Sequence, residues 1–466
     1  MRLTAEVFVA TGDFDVIVIG MGPGGERVAG ELALAGLEVA GVESGLVGGE
    51  CPYYGCVPSK MMIRAANLLA EARRITGMAG QASVDPSWAP VARRIRDEAT
   101  DDWDDTVAAD RFTGQGGHLF RGHGVITAPG QVTVGDQVLR ARRGIVIATG
   151  TSPAVPPIPG LAGTPYWTNR EAVKATEVPR SLAVLGGGAV GVELAQVFAR
   201  FGARVTVVEG LSRLLPAEEP EAGELLARVF EAEGIAVRTG VTASQVRHAD
   251  GVFTVTLADD TEVTATDLLI ATGRRTDLAA IGTAAVGIDQ HARFVPVDDR
   301  MRAAPGVWAI GDVVGHGMFT HMAVYHADIV IADVLGRPHH GADYRAVPRV
   351  TFTDPEIGSV GLTEAEARVQ GMDVRTGLAQ VPSSARGWIH KAGNEGFIKL
   401  VEDATSGLLA GATSAGPVGG EVLSMLTLAV QARVPVAGLR EMIYAYPTFH
   451  RAVEDALTEL GRVSAP

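Results

Sequence analysis

The sequence predicts an α/β fold with two Rossmann-like dinucleotide-binding domains and a C-terminal α+β domain. Three observations carry this. A strand, glycine-turn, helix, strand unit occurs twice, and the copies align without a gap at an offset of 166 residues. Each copy is followed downstream by a strand that ends in Ala-Thr-Gly. After about residue 345 the pattern changes to strands over residues 397–401 and 408–413, then an apolar helix over 422–432.

The first unit opens with the apolar run Asp15 to Gly20, read as a buried strand. It enters the G-x-G-x-x-G turn Gly20, Gly22, Gly25, a helix to Leu34 and a second strand over 37–42. Glu43 closes that strand, 23 residues after Gly20. The second unit repeats the order: a strand over 182–185, the turn Gly186, Gly188, Gly191, a helix over 192–201 and a strand over 204–208. Glu209 closes it at the same distance. Alone the glycine motif is weak. Flanked by a strand and a helix, followed by an acid, and present twice, it predicts two dinucleotide sites. Glycine lets the backbone approach a pyrophosphate, the helix N-terminus favours its charge, and the acid accepts hydrogen bonds from ribose hydroxyls. The strands over 145–147 and 268–270 lead into the two Ala-Thr-Gly echoes, and a further strand from Val307 ends in Gly311-Asp312. Asp312 suits a polyol acceptor, or a plain N-cap for a helix over about 321–335.

Composition sets the outer limits. At 466 residues and 47% hydrophobic content the chain has material for about three domains. Forty basic against 54 acidic residues give a net charge of −14, which argues against nucleic-acid binding. Met1 to Ala10 lacks the apolar stretch of a signal peptide, and no run has the length of a membrane span. The expectation is a soluble cytoplasmic protein with no membrane association. His339-His340 lack a metal-ligand spacing, and no metal is expected. Asp101 to Asp105 reads as the solvated face of a long helix, and Trp308 and Trp388 as packing residues.

The chain has two cysteines, Cys51 and Cys56, inside Gly-Gly-Glu-Cys-Pro-Tyr-Tyr-Gly-Cys-Val-Pro-Ser-Lys. A disulfide over so short a loop removes little unfolded-state entropy, so a two-electron switch explains the pair better than a staple. Pro58 suits the first position of a helix whose N-terminal dipole would favour a thiolate.

Together these residues resemble the class I pyridine nucleotide-disulfide oxidoreductases, a family that includes dihydrolipoamide dehydrogenase, glutathione reductase and mercuric reductase. The resemblance spans nearly the whole chain. It implies an FAD-binding domain over 1–152 and 277–344, an NAD(P)-binding domain over 153–276 and a dimerisation domain over 345–466, in a homodimer. Gly20, Gly22, Gly25 and Glu43 would hold the adenosine half of FAD. Lys60, Gly124, Thr149, Gly150, Gly311, Asp312 and Thr320 would line the rest. Gly186, Gly188, Gly191, Glu209, Val241 and Gly273 would hold the nicotinamide nucleotide. A carboxylate at Glu209 favours NADH over NADPH, because it pairs with a free 2′-hydroxyl and repels a 2′-phosphate. Cys56 would be the flavin-side sulfur, Cys51 the sulfur that attacks substrate, and Lys60 with Glu193 an ion pair beside the flavin.

The chain departs from its relatives at the C-terminal box. Tyr446 and Arg451 stand where dihydrolipoamide dehydrogenase resemblance places a histidine acid-base and its orienting glutamate. An unperturbed tyrosine, with a pKa of about 10, accepts protons poorly at neutral pH, while histidine at about 6.5 does both jobs. Turnover with lipoamide or glutathione disulfide is therefore expected to be weak. His450 is a candidate substitute, with Glu454 one helical turn on to orient it. The leading expectation is an NADH oxidoreductase acting through Cys51–Cys56 on a small disulfide or sulfur-linked substrate. The alternatives are direct reduction of a quinone or dye by flavin, carbanion or carboxylase-type chemistry as in 2-ketopropyl-coenzyme M oxidoreductase/carboxylase, or an E3-like component of a multienzyme complex. Mercuric reduction is disfavoured, since that enzyme adds a C-terminal cysteine pair.

Overall fold

The computed structural model describes residues 11–462. The Met1–Ala10 segment, read above for a signal peptide, lies outside them. The chain divides into two compact units.

The first unit comprises residues 11–58, 94–152 and 274–344. Its sheet runs in the order Arg302–Ala304, Val307–Ala309, Gln137–Ile147, Thr11–Ile19, Val39–Glu43, His118–Arg121, with the hairpin Gly124–Ala128 and Gln131–Val134 attached to Gln137–Ile147. The central pairings are parallel, with Val18 opposite Gly41 and Val146. Val16 to Ile19 are buried without alternation, as expected for a strand covered on both faces. Helices Pro23–Leu34 and Thr320–Val334 pack one side, with Val28, Leu32, Ala327 and Val330 in one core cluster with Val16 and Val18.

The second unit comprises residues 59–93, 153–273 and 345–462. It carries a four-stranded parallel sheet ordered Ala236–Thr239, Arg204–Glu209, Ser181–Leu185, Asp267–Ile270. It also carries a three-stranded antiparallel sheet over 243–265 and a five-stranded antiparallel sheet built from Pro348–Thr351, Glu356–Gly361, Leu408–Gly416, Phe397–Asp403 and Val374–Gln380. Helices Gly419–Gln431 and Ala452–Arg462 cover the last sheet through Leu423, Leu426, Val453 and Leu457.

Four expectations are corrected. The helix after the cysteine box starts at Cys56 and runs to Arg73, so Pro58 is its third residue rather than its first. The acidic run 101–105 is not helical. Asp101, Asp102 and Trp103 are left-handed, with φ of 47°, 53° and 59°, and Asp105 is the buried residue preceding helix Thr106–Gly114. Asp312 caps no helix: the helix Thr320–Val334 begins after Phe319 without a side-chain cap. Trp308 is buried, but Trp388 is 77% exposed in this chain. Among the described residues no helix is long and apolar enough to cross a membrane.

Candidate functional site

The two glycine turns are built alike. Gly20 and Gly186 sit at φ of 94° and 113°, where the chain leaves its strand in a conformation that disfavours side chains. A Cβ on Gly25 or Gly191 would run into the carbonyl oxygen of Gly20 or Gly186. Gly22 and Gly188 begin helices Pro23–Leu34 and Ala189–Arg200 with no side-chain cap, an arrangement that suits an anion at the helix start. Glu43 accepts from the Met21 N–H at 2.7 Å and the Gly45 N–H at 2.7 Å. Glu209 accepts from Gly187 at 2.6 Å and Leu211 at 2.8 Å, the same positions one repeat later. Each carboxylate closes its own turn and keeps a charge at its rim. These cradles fit a dinucleotide.

In the first unit the cysteines lie beside Thr320. Cys51 is half-buried in the short helix Glu50–Tyr53, and Cys56 is exposed at the first position of its helix. Neither is in a disulfide. Cys56 Sγ lies 3.4 Å from Thr320 Oγ1. A hydrogen bond with Cys56, then burial, push the Cys51 thiol well above the ordinary range. Thr149 is exposed beyond strand Gln137–Ile147, Gly150 follows at φ 63°, and Gly124 is buried at the head of its strand. Asp312 accepts from Thr151 Oγ1 at 2.9 Å. Burial raises its carboxyl above the usual value, against the lowering effects of Thr151 and Arg274. Arg274 donates to Thr151 Oγ1 at 2.6 Å and lies 3.8 Å from both Asp312 and Glu50. The Gly311 N–H donates to His326 Nδ1 at 3.2 Å, and His326 Nε2 lies 3.1 Å from the Tyr344 hydroxyl.

The family models decide the kinship. Residues 14–327 match the model described as pyridine nucleotide-disulphide oxidoreductase, and residues 347–457 match the dimerisation domain of the same family. The chain belongs to the pyridine nucleotide-disulphide oxidoreductase family. Among its relatives, dihydrolipoyl dehydrogenase of Chlorobaculum tepidum is 35% identical, over 96% of this chain and 98% of that protein. Mercuric reductase of Acidithiobacillus ferrooxidans is 33% identical, over 94% and 80%. The solved structure of RclA from Escherichia coli, an HOCl-induced flavoprotein disulfide reductase, superposes with a TM-score of 0.83 at 26% identity, covering 95% of this chain and 99% of that one.

In the second unit of this family member, Lys60 Nζ meets Glu193 Oε2 at 2.8 Å and stands 4.6 Å from the centre of the Phe352 ring. Glu193 is 5% exposed, and its second oxygen accepts from the Phe352 N–H at 2.8 Å. The Val241 N–H donates to the Glu209 carbonyl at 3.3 Å, and Gly273 takes a φ of 109°. At the C-terminal box Tyr446 is 70% exposed, with the Arg451 guanidinium 5.5 Å from its ring centre. Glu454 pairs with Arg451 at 3.1 Å, so it does not orient His450. His450 Nε2 instead lies 3.4 Å from Thr448 Oγ1.

Sequence reading passed over Thr151, Arg274, His326 and Phe352. Arg274 had a signal, since it directly follows the second Ala-Thr-Gly echo. Phe352 and His326 had none, because what matters is a backbone N–H in one and a buried ring nitrogen in the other.

Proposed function

We propose that this chain is an FAD-dependent oxidoreductase that takes reducing equivalents from NADH and delivers them through Cys51 and Cys56 to a small disulfide or sulfur-linked substrate. The observation that carries this reading is the thiol pair itself. The Cys51 and Cys56 thiols influence each other's protonation, and Cys56 heads an 18-residue helix with its sulfur 3.4 Å from Thr320 Oγ1. That terminus favours a thiolate. The family match and the RclA likeness support the same assignment.

Acting on a disulfide, the Cys51 sulfur attacks one substrate sulfur, giving up its thiol proton as it does so, and releases the first thiolate. Cys56 then attacks Cys51, closing the Cys51–Cys56 disulfide and releasing the second; each released thiolate takes up a proton. Bound FAD and nicotinamide would supply the two electrons that reopen the pair. Gly20, Gly22, Gly25 and Glu43 would hold the flavin nucleotide's adenosine half, and Gly124, Thr149, Gly150, Gly311, Asp312 and Thr320 the rest. Gly186, Gly188, Gly191, Glu209, Val241 and Gly273 would hold the nicotinamide nucleotide. Lys60, fixed by Glu193, would supply positive charge to the reduced cofactor. Tyr446, in the place of the family's histidine, would make proton delivery to the leaving thiolate slow. The dimerisation-domain match supports a homodimer, and Trp388, Ile443 and Tyr446, exposed at 77%, 96% and 70%, are side chains a second copy would cover.

Replacing each cysteine by serine tests the reading. Cys51→Ser and Cys56→Ser should abolish NADH-dependent disulfide reduction while leaving dye or quinone reduction intact. Disulfide turnover that survives either change refutes it and favours direct transfer from flavin.

A further inference from the structure

Glycines flank the segment that carries Cys51. Gly48 and Gly49 precede it at φ of 107° and 68°, and Gly55 follows it. Cys51 lies in the one-turn helix Glu50–Tyr53, entered through Gly48 and Gly49, whose N–H groups donate to the Met21 and Leu46 carbonyls at 2.7 and 2.9 Å; so short a helix is marginal alone, and contacts from elsewhere in the fold add to what places Cys51.

What touches it is the acidic turn. Asp101, Asp102 and Trp103 form three successive left-handed non-glycine residues, and for a side chain as large as Trp103 that conformation is an outlier. Such strain persists where neighbours over-determine it. Here the Asp102 N–H donates to the Arg96 carbonyl at 2.7 Å, and the Asp104 N–H reaches Asp101 at 3.0 Å and the buried Thr100 at 3.2 Å. The strained turn delivers three side chains or groups to the cysteine segment. Trp103 Nε1 donates to the Tyr53 carbonyl at 3.2 Å. The Asp104 carbonyl accepts from the Tyr53 hydroxyl at 3.5 Å. The Asp105 carboxylate accepts from the Val47 N–H at 2.6 Å and is itself gripped by both Arg121 nitrogens at 2.6 and 2.8 Å. Arg121 also donates to the Gly45 carbonyl at 3.1 Å. Cys51 thus sits between a fixed Val47 and a fixed Tyr53.

We propose that this turn is a brace, with Trp103 and Asp105 as positioning residues that hold Cys51 within bonding reach of Cys56. The proposal rests on the reading of Cys51–Cys56 as a redox couple. Its consequence is an effective-concentration effect: a braced pair closes its disulfide more readily than a loose one. The relevant equilibrium is balanced as the Cys51 and Cys56 thiols plus oxidised glutathione giving the Cys51–Cys56 disulfide plus two reduced glutathiones.

Trp103→Phe keeps an aromatic face and deletes the Nε1 donor together with the fused pyrrole ring; Asp105→Asn weakens the second anchor. Each holoprotein would be equilibrated in glutathione buffers and its disulfide fraction read by mass spectrometry, with flavin absorbance and the unfolding midpoint reporting folding. In a folded Trp103→Phe protein the equilibrium constant should fall by about 2- to 12-fold, the worth of one net hydrogen bond. Alkylation of Cys51 by iodoacetamide should speed up several-fold. Wild-type values for both in folded Trp103→Phe overturn the brace. If the wild-type protein closes no disulfide at any glutathione ratio, the redox reading falls instead, and the alkylation rates alone decide the brace.

Discussion

Glu193→Gln is the sharpest perturbation of the Lys60 ion pair, because the change is nearly isosteric and the surroundings fix its consequences. The carboxylate accepts from the Phe352 N–H and from Lys60, each at 2.8 Å. A glutamine oxygen can keep the Phe352 bond, but its amide nitrogen then faces the Lys60 ammonium, donor against donor. The Lys60 side chain is 36% exposed and can turn to water, so no buried charge is stranded. A charged hydrogen bond is worth about 1.5–3 kcal/mol, and screening at the exposed lysine puts the expected loss near the low end, about 1.5 kcal/mol. Glu193→Ala should cost about 1–3 kcal/mol more, since it also leaves the buried Phe352 N–H without an acceptor. Urea unfolding of the FAD-saturated protein measures both losses. Stopped-flow reduction by NADH should slow by about ten-fold in Glu193→Gln, the rate equivalent of the same energy. A Glu193→Gln protein with the wild-type midpoint and the wild-type rate would refute the reasoning, as would an alanine variant more stable than the glutamine one.

Two further outcomes follow from other parts of the fold. Burial, then His316, hold His326 down at about 4, below its ordinary 6.5; the folded state therefore binds fewer protons than the unfolded one between these values, and stability should fall by up to about 3 kcal/mol as pH drops from about 6.5 to about 4. Acid titration of unfolding should show this loss in the wild type and lack it in His326→Gln. Steady-state turnover with lipoamide should be weak in the wild type and rise in the double variant Tyr446→His with Arg451→Glu, which would install the acid-base pair proposed to be replaced here; robust wild-type turnover would overturn the assignment to Tyr446.

The repeated half of the site was legible because its physics is local. A glycine turn, a helix start and an acid at fixed spacing place Glu43 and Glu209 on the N–H groups of their own turns, and the residues that matter sit within one strand-turn-helix unit. Lys60 and Glu193 were legible only through resemblance, since 133 residues separate them. Their third member, Phe352, contributes a main-chain N–H, which every residue but proline offers, and a ring face. The 101–105 run was misread for a different reason. Five residues rich in aspartate suit a solvated helix face, but aspartate is also among the few residues that tolerate the left-handed region. Contacts to Arg96, Thr100, Tyr53 and Val47 decide between the two, and none of these is visible as a pattern.

Local contacts in the second glycine-turn unit bear on nucleotide choice. Glu43 and Glu209 have matching acceptor geometry, so the carboxylate alone does not separate the two sites. What separates NADH from NADPH at the second is whether a cation stands ready for a 2′-phosphate, and Arg213 is the nearest in sequence. Its Nη2 donates to the carbonyls of Pro216 at 2.8 Å and Glu218 at 2.9 Å, folding the guanidinium back onto its own loop. Recruiting it to a phosphate would break both of these bonds. Glu209 would meanwhile repel the phosphate while still held by Gly187 and Leu211. Both effects would oppose NADPH, and they support the proposal that NADH is the reductant.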